Sequence, residues 1–184
     1  MTGQIADVYE YNGNRYNIVA IKGTMNFDIH ELGFDPVPIH TACWRGYHCI
    51  YNITEEGLFL KDLFVNDRNG SYQDLAWNNQ FWDRFDGKVY YGINIPVKFD
   101  GGIIIGNDFL TRYYIHMGFQ RVYAYKTVYE LIFKEGLITK KTDLSKKAAL
   151  IRTEIDEKGI DRANISKFVE ESFSLDYEDK WTVY

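Results

Sequence analysis

This 184-residue chain has only two cysteines, Cys43 and Cys49, too few for the disulfide framework of a small secreted scaffold. It has no excess of positive charge: 21 basic side chains face 26 acidic ones, a net charge of −5 at pH 7. A sequence pI near 5.4 leaves no broad positive field to neutralise phosphates, which excludes unspecific nucleic-acid binding as an expectation and favours a basic protein partner. Long apolar runs are also missing. The strongest, Gly102 to Gly106, falls far short of the roughly 18 to 20 residues of a membrane-spanning helix. The opening MTGQIADVYE has neither the basic nor the apolar region of a secretory leader. The expectation is a cytoplasmic protein with no membrane partner. What the chain does have is apolar and aromatic material, 46% and 17% of residues against 26% charged, enough for the core of one domain.

The patterning predicts an α+β, mainly β fold: an antiparallel, partly closed barrel or sandwich over 1–142, with two helices in a C-terminal extension, 143–184, packed on it. Ile5 to Tyr11 and Arg15 to Lys22 flank Asn12-Gly13-Asn14 and read as a hairpin. Residues 23–42, with Pro36 and Pro38, read as a long connection with one helical turn near Ile29 to Leu32. Ala42 to Ile53 and Leu58 to Val65 read as strands around Glu55-Glu56-Gly57, and Leu131 to Phe133 and Leu137-Ile138 as strands around Lys134-Glu135-Gly136. Val89, Tyr91, Ile93 and Ile95 alternate with Lys88, Tyr90, Gly92 and Asn94, a period of two that puts one face inward. Further strands are expected at Ile103 to Ile105, Tyr113 to Met117 and Arg121 to Phe133. The period then changes: Leu144, Ala148, Ile151 and Ile155 share a helical face, with Asp143 as cap and Gly159 as stop. A second helix starting near Asp161 presents Ile165, Phe168, Val169 and Phe173 as its apolar face.

Candidate chemistry is sparse. His40, Cys43, His48 and Cys49 lie within ten residues, but along an extended strand the two thiols would stand about 20 Å apart, too far for one metal ion or a disulfide. No metal and no cofactor is expected. Cys43 and Cys49 remain candidates for a reactive thiol, with His48 or His116 as base and Arg45 as a cation able to lower a thiol pKa. Asp86 and Asp100 precede glycines and read as turn residues rather than acid/base pairs. The glycine-rich run from Asp100 to Gly106 lacks the Lys-Ser/Thr and following helix of a phosphate cradle. Between Asn69 and Gly87, Trp77, Phe81, Trp82 and Phe85 recur at helical spacing beside Arg84. They read as a core-facing helix, or as an interface hot spot.

The segment Thr41-Ala42-Cys43-Trp44-Arg45-Gly46-Tyr47, with Val89 to Pro96, Tyr114 to Phe119 and Tyr129-Glu130-Leu131 further on, resembles an uncharacterised family of bacterial proteins sharing an ACWRGY-type strand motif. The resemblance covers about half of the chain and implies no known activity. The function expected from the whole reading is a protein-interaction module such as an immunity protein that binds a basic toxin, more an interaction protein than an enzyme. The alternatives are a small-molecule-binding barrel, with Trp44, Tyr91, Trp82 and His116 lining its cavity, and a thiol-dependent or hydrolytic enzyme. Candidate binding residues are therefore Trp44, Trp77, Trp82, Arg84, Tyr91 and His116.

Overall fold

The computed structural model describes residues 2–38, 40–70, 80–84, 87–159 and 165–183, with 80–84 described at the level of the backbone. The described residues form ten strands: β1 (Val8–Tyr11), β2 (Asn14–Asn26), β3 (Tyr47–Thr54), β4 (Gly57–Val65), β5 (Gln80–Arg84), β6 (Gly87–Tyr91), β7 (Ile95–Pro96), β8 (Lys98–Phe109), β9 (Tyr125–Lys134) and β10 (Leu137–Asp143). They make one sheet in the order β10-β9-β8-β2-β1-β3-β4-β6-β5, with β7 also on β4. Every pairing is antiparallel except β1 with β3. The expected hairpin is present, its turn made by Asn12 and Gly13 at φ 49° and 75°, the left-handed pair that a two-residue hairpin requires.

The continuous segment β7–β8 reaches both halves of the sheet. Val97 alone separates β7, which pairs with β4, from β8, which pairs with β2. The ladder ends, β10 and β5, do not pair with each other, so the sheet is not closed by hydrogen bonds. Its inner face is filled with side chains: Tyr9, Tyr16, Ile18, Tyr51, Leu60, Leu63, Tyr90, Phe99, Ile103, Ile105 and Leu131 are among those buried in one continuous cluster. The alternate residues of β2, β8 and β9, namely Val19, Ile104 and Val128, face the other way and pack against Ala148. That second face is covered by α1 (Ser145–Lys158), which forms where the period predicts. Ser145 N–H donates to Asp143 Oδ1 at 2.8 Å, Gly159 N–H closes the end on Ile155 O at 2.8 Å, and Ala148 and Ile155 are buried.

Elsewhere tertiary contacts override local pattern. Ala42 to Gly46 is a turn, not the start of β3, and 28–33 is a series of turns rather than a helical one. The stretch Tyr113 to Met117 is not a strand: a short 3-10 turn, Thr111–Tyr113, leads into a loop. In β6 it is Tyr90, 0% exposed, that enters the core, while Tyr91 is half-buried. Lys88, Val89 and Tyr90 are buried in succession, so β6 does not alternate, and the chain then turns at Gly92 and Asn94, φ 65° and 48°. Asp100 lies within β8 rather than in a turn, and accepts a hydrogen bond from Glu135 N–H at 2.6 Å. The helix expected around Trp82 is not formed over 80–84, where β5 pairs with β6 in the register Trp82↔Val89; Trp77, Phe85 and Asp86 lie outside the described residues. The second helix, α2 (Ile165–Ser172), is present, but Phe173 just beyond it is 40% exposed rather than part of an apolar face.

Candidate functional site

The segment 41–47 is held by backbone hydrogen bonds and by one ion pair. Ala42 O accepts from Ile5 N–H at 2.8 Å, Gly46 N–H donates to Cys43 O at 3.2 Å, and Asn66 N–H donates to Gly46 O at 2.8 Å. Gly46 sits at φ 74°, and a Cβ there would come within 2.6 Å of Val37 N, so conformation and space both demand glycine. Arg45 forks onto Asp7, with Nη1 to Oδ2 at 3.1 Å and Nη2 to Oδ1 at 2.8 Å, and its guanidinium lies 4.9 Å from the Tyr47 ring centre. Asp7 Oδ1 also accepts from Cys49 N–H at 2.8 Å. One carboxylate thus ties the N-terminal segment, the turn and β3 together. Burial works against the Arg45 charge, but the Asp7 carboxylate outweighs it and leaves the guanidinium more firmly protonated than usual. Trp44 points away from this network. Its N–H donates to Gln4 Oε1 at 3.1 Å, yet its residue surface is 61% exposed.

The two thiols differ. Cys49 is 0% exposed, and burial, followed by the Asp7 charge, pushes its thiol well above the ordinary range despite Arg45. It sits beside Tyr9 and Tyr51, whose rings stack at 4.9 Å and whose hydroxyls burial also pushes up. Arg45 therefore does not activate this cysteine. Cys43 is half-buried and its Sγ donates to Tyr47 O at 3.4 Å. Because 42–46 is a turn, with Cys43 Sγ folded onto Tyr47 O, Cys43 lies outside the strand that carries Cys49, and the separation of about 20 Å expected along one extended strand does not apply. Cys43, His40, His48, Tyr47 and Phe64 line a small cleft with about 20 Å³ of free space, room for about one water. His48 is stacked on Phe64 at 4.3 Å, the ring planes 9° apart. Among the described residues no three His, Cys, Asp or Glu side chains form a metal-binding group.

The remaining binding candidates are distributed as follows. His116 is exposed, in the loop before Gly118, its ring 4.7 Å from Tyr114. Tyr114 in turn is 6.1 Å from Phe109. Phe109 is 41% and Tyr114 38% exposed, so the three rings form an outward strip. Residues 3–4 run between this strip and the Trp44 turn: Gly3 bridges to Gly118, Gln4 N–H donates to Gly118 O at 2.7 Å, and Gln4 Nε2 donates to Thr41 O at 2.8 Å. Tyr91 is elsewhere, edge-on to Phe64 at 6.1 Å. Trp82 and Arg84 are placed on β5, and Trp77 lies outside the described residues. Trp44 and His116 thus meet solvent and do not line an interior cavity. Phe109 and Tyr114 were not singled out from the sequence, because an aromatic at a strand end carries no local mark of exposure. No family model, curated protein or solved structure matches this chain.

Proposed function

We propose that this chain is a cytoplasmic protein-interaction module that docks a basic protein, in the manner of an immunity protein neutralising a toxin, through Trp44 and the Phe109-Tyr114-His116 strip. One observation carries the reading: in a turn whose other side chains are occupied with holding the fold, Trp44 is displayed at 61% exposure. A rigidly mounted tryptophan is the residue type that dominates interface energetics. The net charge of −5 favours a basic partner, and the filled inner face of the sheet favours a macromolecule over an enclosed small molecule. The test is co-expression with candidate basic toxins, followed by binding of the purified pair. Wild type binds and protects, while Trp44→Ala weakens binding by about thirtyfold or more. Equal binding by both chains, or no basic partner, defeats the reading.

A second reading, thiol chemistry at Cys43, is favoured by the cleft that gathers Cys43, His40 and His48. Native alkylation with iodoacetamide at pH 7 decides it. A rate well above that of a free thiol supports it, and a slower rate removes it.

A further inference from the structure

After α2 the chain runs as a strap, 172–183, past β2, where Leu175 packs with the inner cluster, and on to the outer face with Tyr177 and Trp181, fixed at intervals. Phe119 N–H donates to Ser172 O and Ile21 N–H to Leu175 O, both at 2.7 Å. The Tyr177 hydroxyl covers Gly102 so closely that no Cβ fits there. The Trp181 ring lies 3.7 Å from Lys147 Nζ of α1, and Val183 packs with Ile115, Tyr123 and Ile155. In the middle of this strap, on the 3-10 turn Asp179–Trp181, sits Lys180, 0% exposed.

The surroundings of Lys180 suit an amine better than an ammonium. Its Nζ lies 3.5 Å from a backbone carbonyl, Glu171 O, and 5.8 Å from the Phe119 ring centre, a weak attraction for a cation; neither contact supplies the full negative charge of a carboxylate. From the loop before β9 it faces the guanidinium of Arg121, itself 0% exposed. From α2 it faces Glu171, whose carboxylate is shared by Arg121 at 3.7 Å and Lys167 at 3.5 Å. From its own segment it faces Asp176 and Asp179, which favour the charged form without offsetting burial and Arg121. A charge taken out of water beside a like charge is costly, and a lysine escapes that cost by losing its proton.

We propose that the strap is a pH-gated clasp: it is docked while Lys180 is a neutral amine, and protonation of Lys180 loosens it from the sheet. Burial first, and Arg121 second, bring the Lys180 pKa down to about 7 from the ordinary 10.5. The undocked strap therefore binds a proton that the docked strap does not over this whole interval, and docking strengthens as pH rises through it. The gate reaches the aromatic strip directly, because Ser172, the first anchor, holds the loop that carries Tyr114 and His116 through Phe119 N–H.

The test is hydrogen exchange of the Ile21 amide, whose acceptor is Leu175 O on the strap, with the intrinsic exchange rate divided out. In wild type the opening equilibrium falls by close to tenfold per pH unit between about pH 7.5 and 9.5, the limit for one proton. In Lys180→Met it is flat over that range. An opening equilibrium independent of pH in wild type, or the same slope in Lys180→Met, overturns the proposal. Should Lys180→Met not fold, NMR titration of the Lys180 Cε and Nζ resonances in the wild-type protein serves instead. A midpoint near 7 supports the clasp, and one near 10.5 overturns it.

Discussion

Arg45 and Lys180 are both cations drawn from water into the fold, and they are met there in opposite ways. Arg45 is met by a carboxylate that accepts two of its hydrogen bonds, at 3.1 and 2.8 Å, and the same carboxylate receives a backbone N–H of β3 at 2.8 Å. Lys180, buried more deeply, is met by one carbonyl at 3.5 Å and by another cation. The first arrangement locks a turn whatever the pH across the neutral range. The second holds only while the amine gives up its proton. The difference is one of partner as well as of depth, and it separates the turn on which Trp44 is mounted from the strap that responds to its surroundings.

The largest effect expected from breaking this contrast is at Asp7. Asp7→Ala strands the Arg45 guanidinium and leaves Cys49 N–H without its acceptor, a loss of about 3 kcal/mol of unfolding free energy by urea titration. Arg45→Lys, which keeps the charge but not the fork, costs less, about 1–2 kcal/mol. Removing the anchor of the opposite cover, Ile155→Ala, costs about 2–3 kcal/mol and leaves the Arg45 network untouched. Trp44→Ala is the smallest in stability, within about 0.5 kcal/mol, while carrying the large binding loss stated above. In a native protein at pH 7, Cys49 stays unmodified by alkylating reagents over the time in which unfolded chains react fully, because its thiol is dry and its thiolate disfavoured.

The sequence made the repetitive parts legible. The Asn12-Gly13 and Glu135-Gly136 turns and the face Ala148 to Ile155 follow from local rules, since left-handed backbone and a 3.6-residue period each leave a signature. The turn at 42–46 did not, because what bends it is an ion pair from Asp7, 38 residues away from Arg45, and local pattern reads only neighbours. For the same reason the alternation around Tyr91 does not show that Tyr90 holds the core position, and the helical spacing around Trp82 does not show that β5 pairs with β6. Of the candidate site, the ACWRGY segment and His116 are legible in the sequence, whereas the burial of Lys180 is not, because Phe119, Arg121 and Glu171, which enclose it, come from other elements of the fold.

The contrast between the matched and the mismatched cation is tested most directly by comparing the unfolding free energies of wild type and Lys180→Met at pH 7 and at pH 9.5. A group that binds its proton only when unfolded makes stability rise with pH between its two pKa values, here from about 7 to 10.5. The account predicts that wild type gains on Lys180→Met as pH rises, the variant being the more stable at pH 7 relative to its standing at pH 9.5. A difference that stays constant between the two pH values would contradict it.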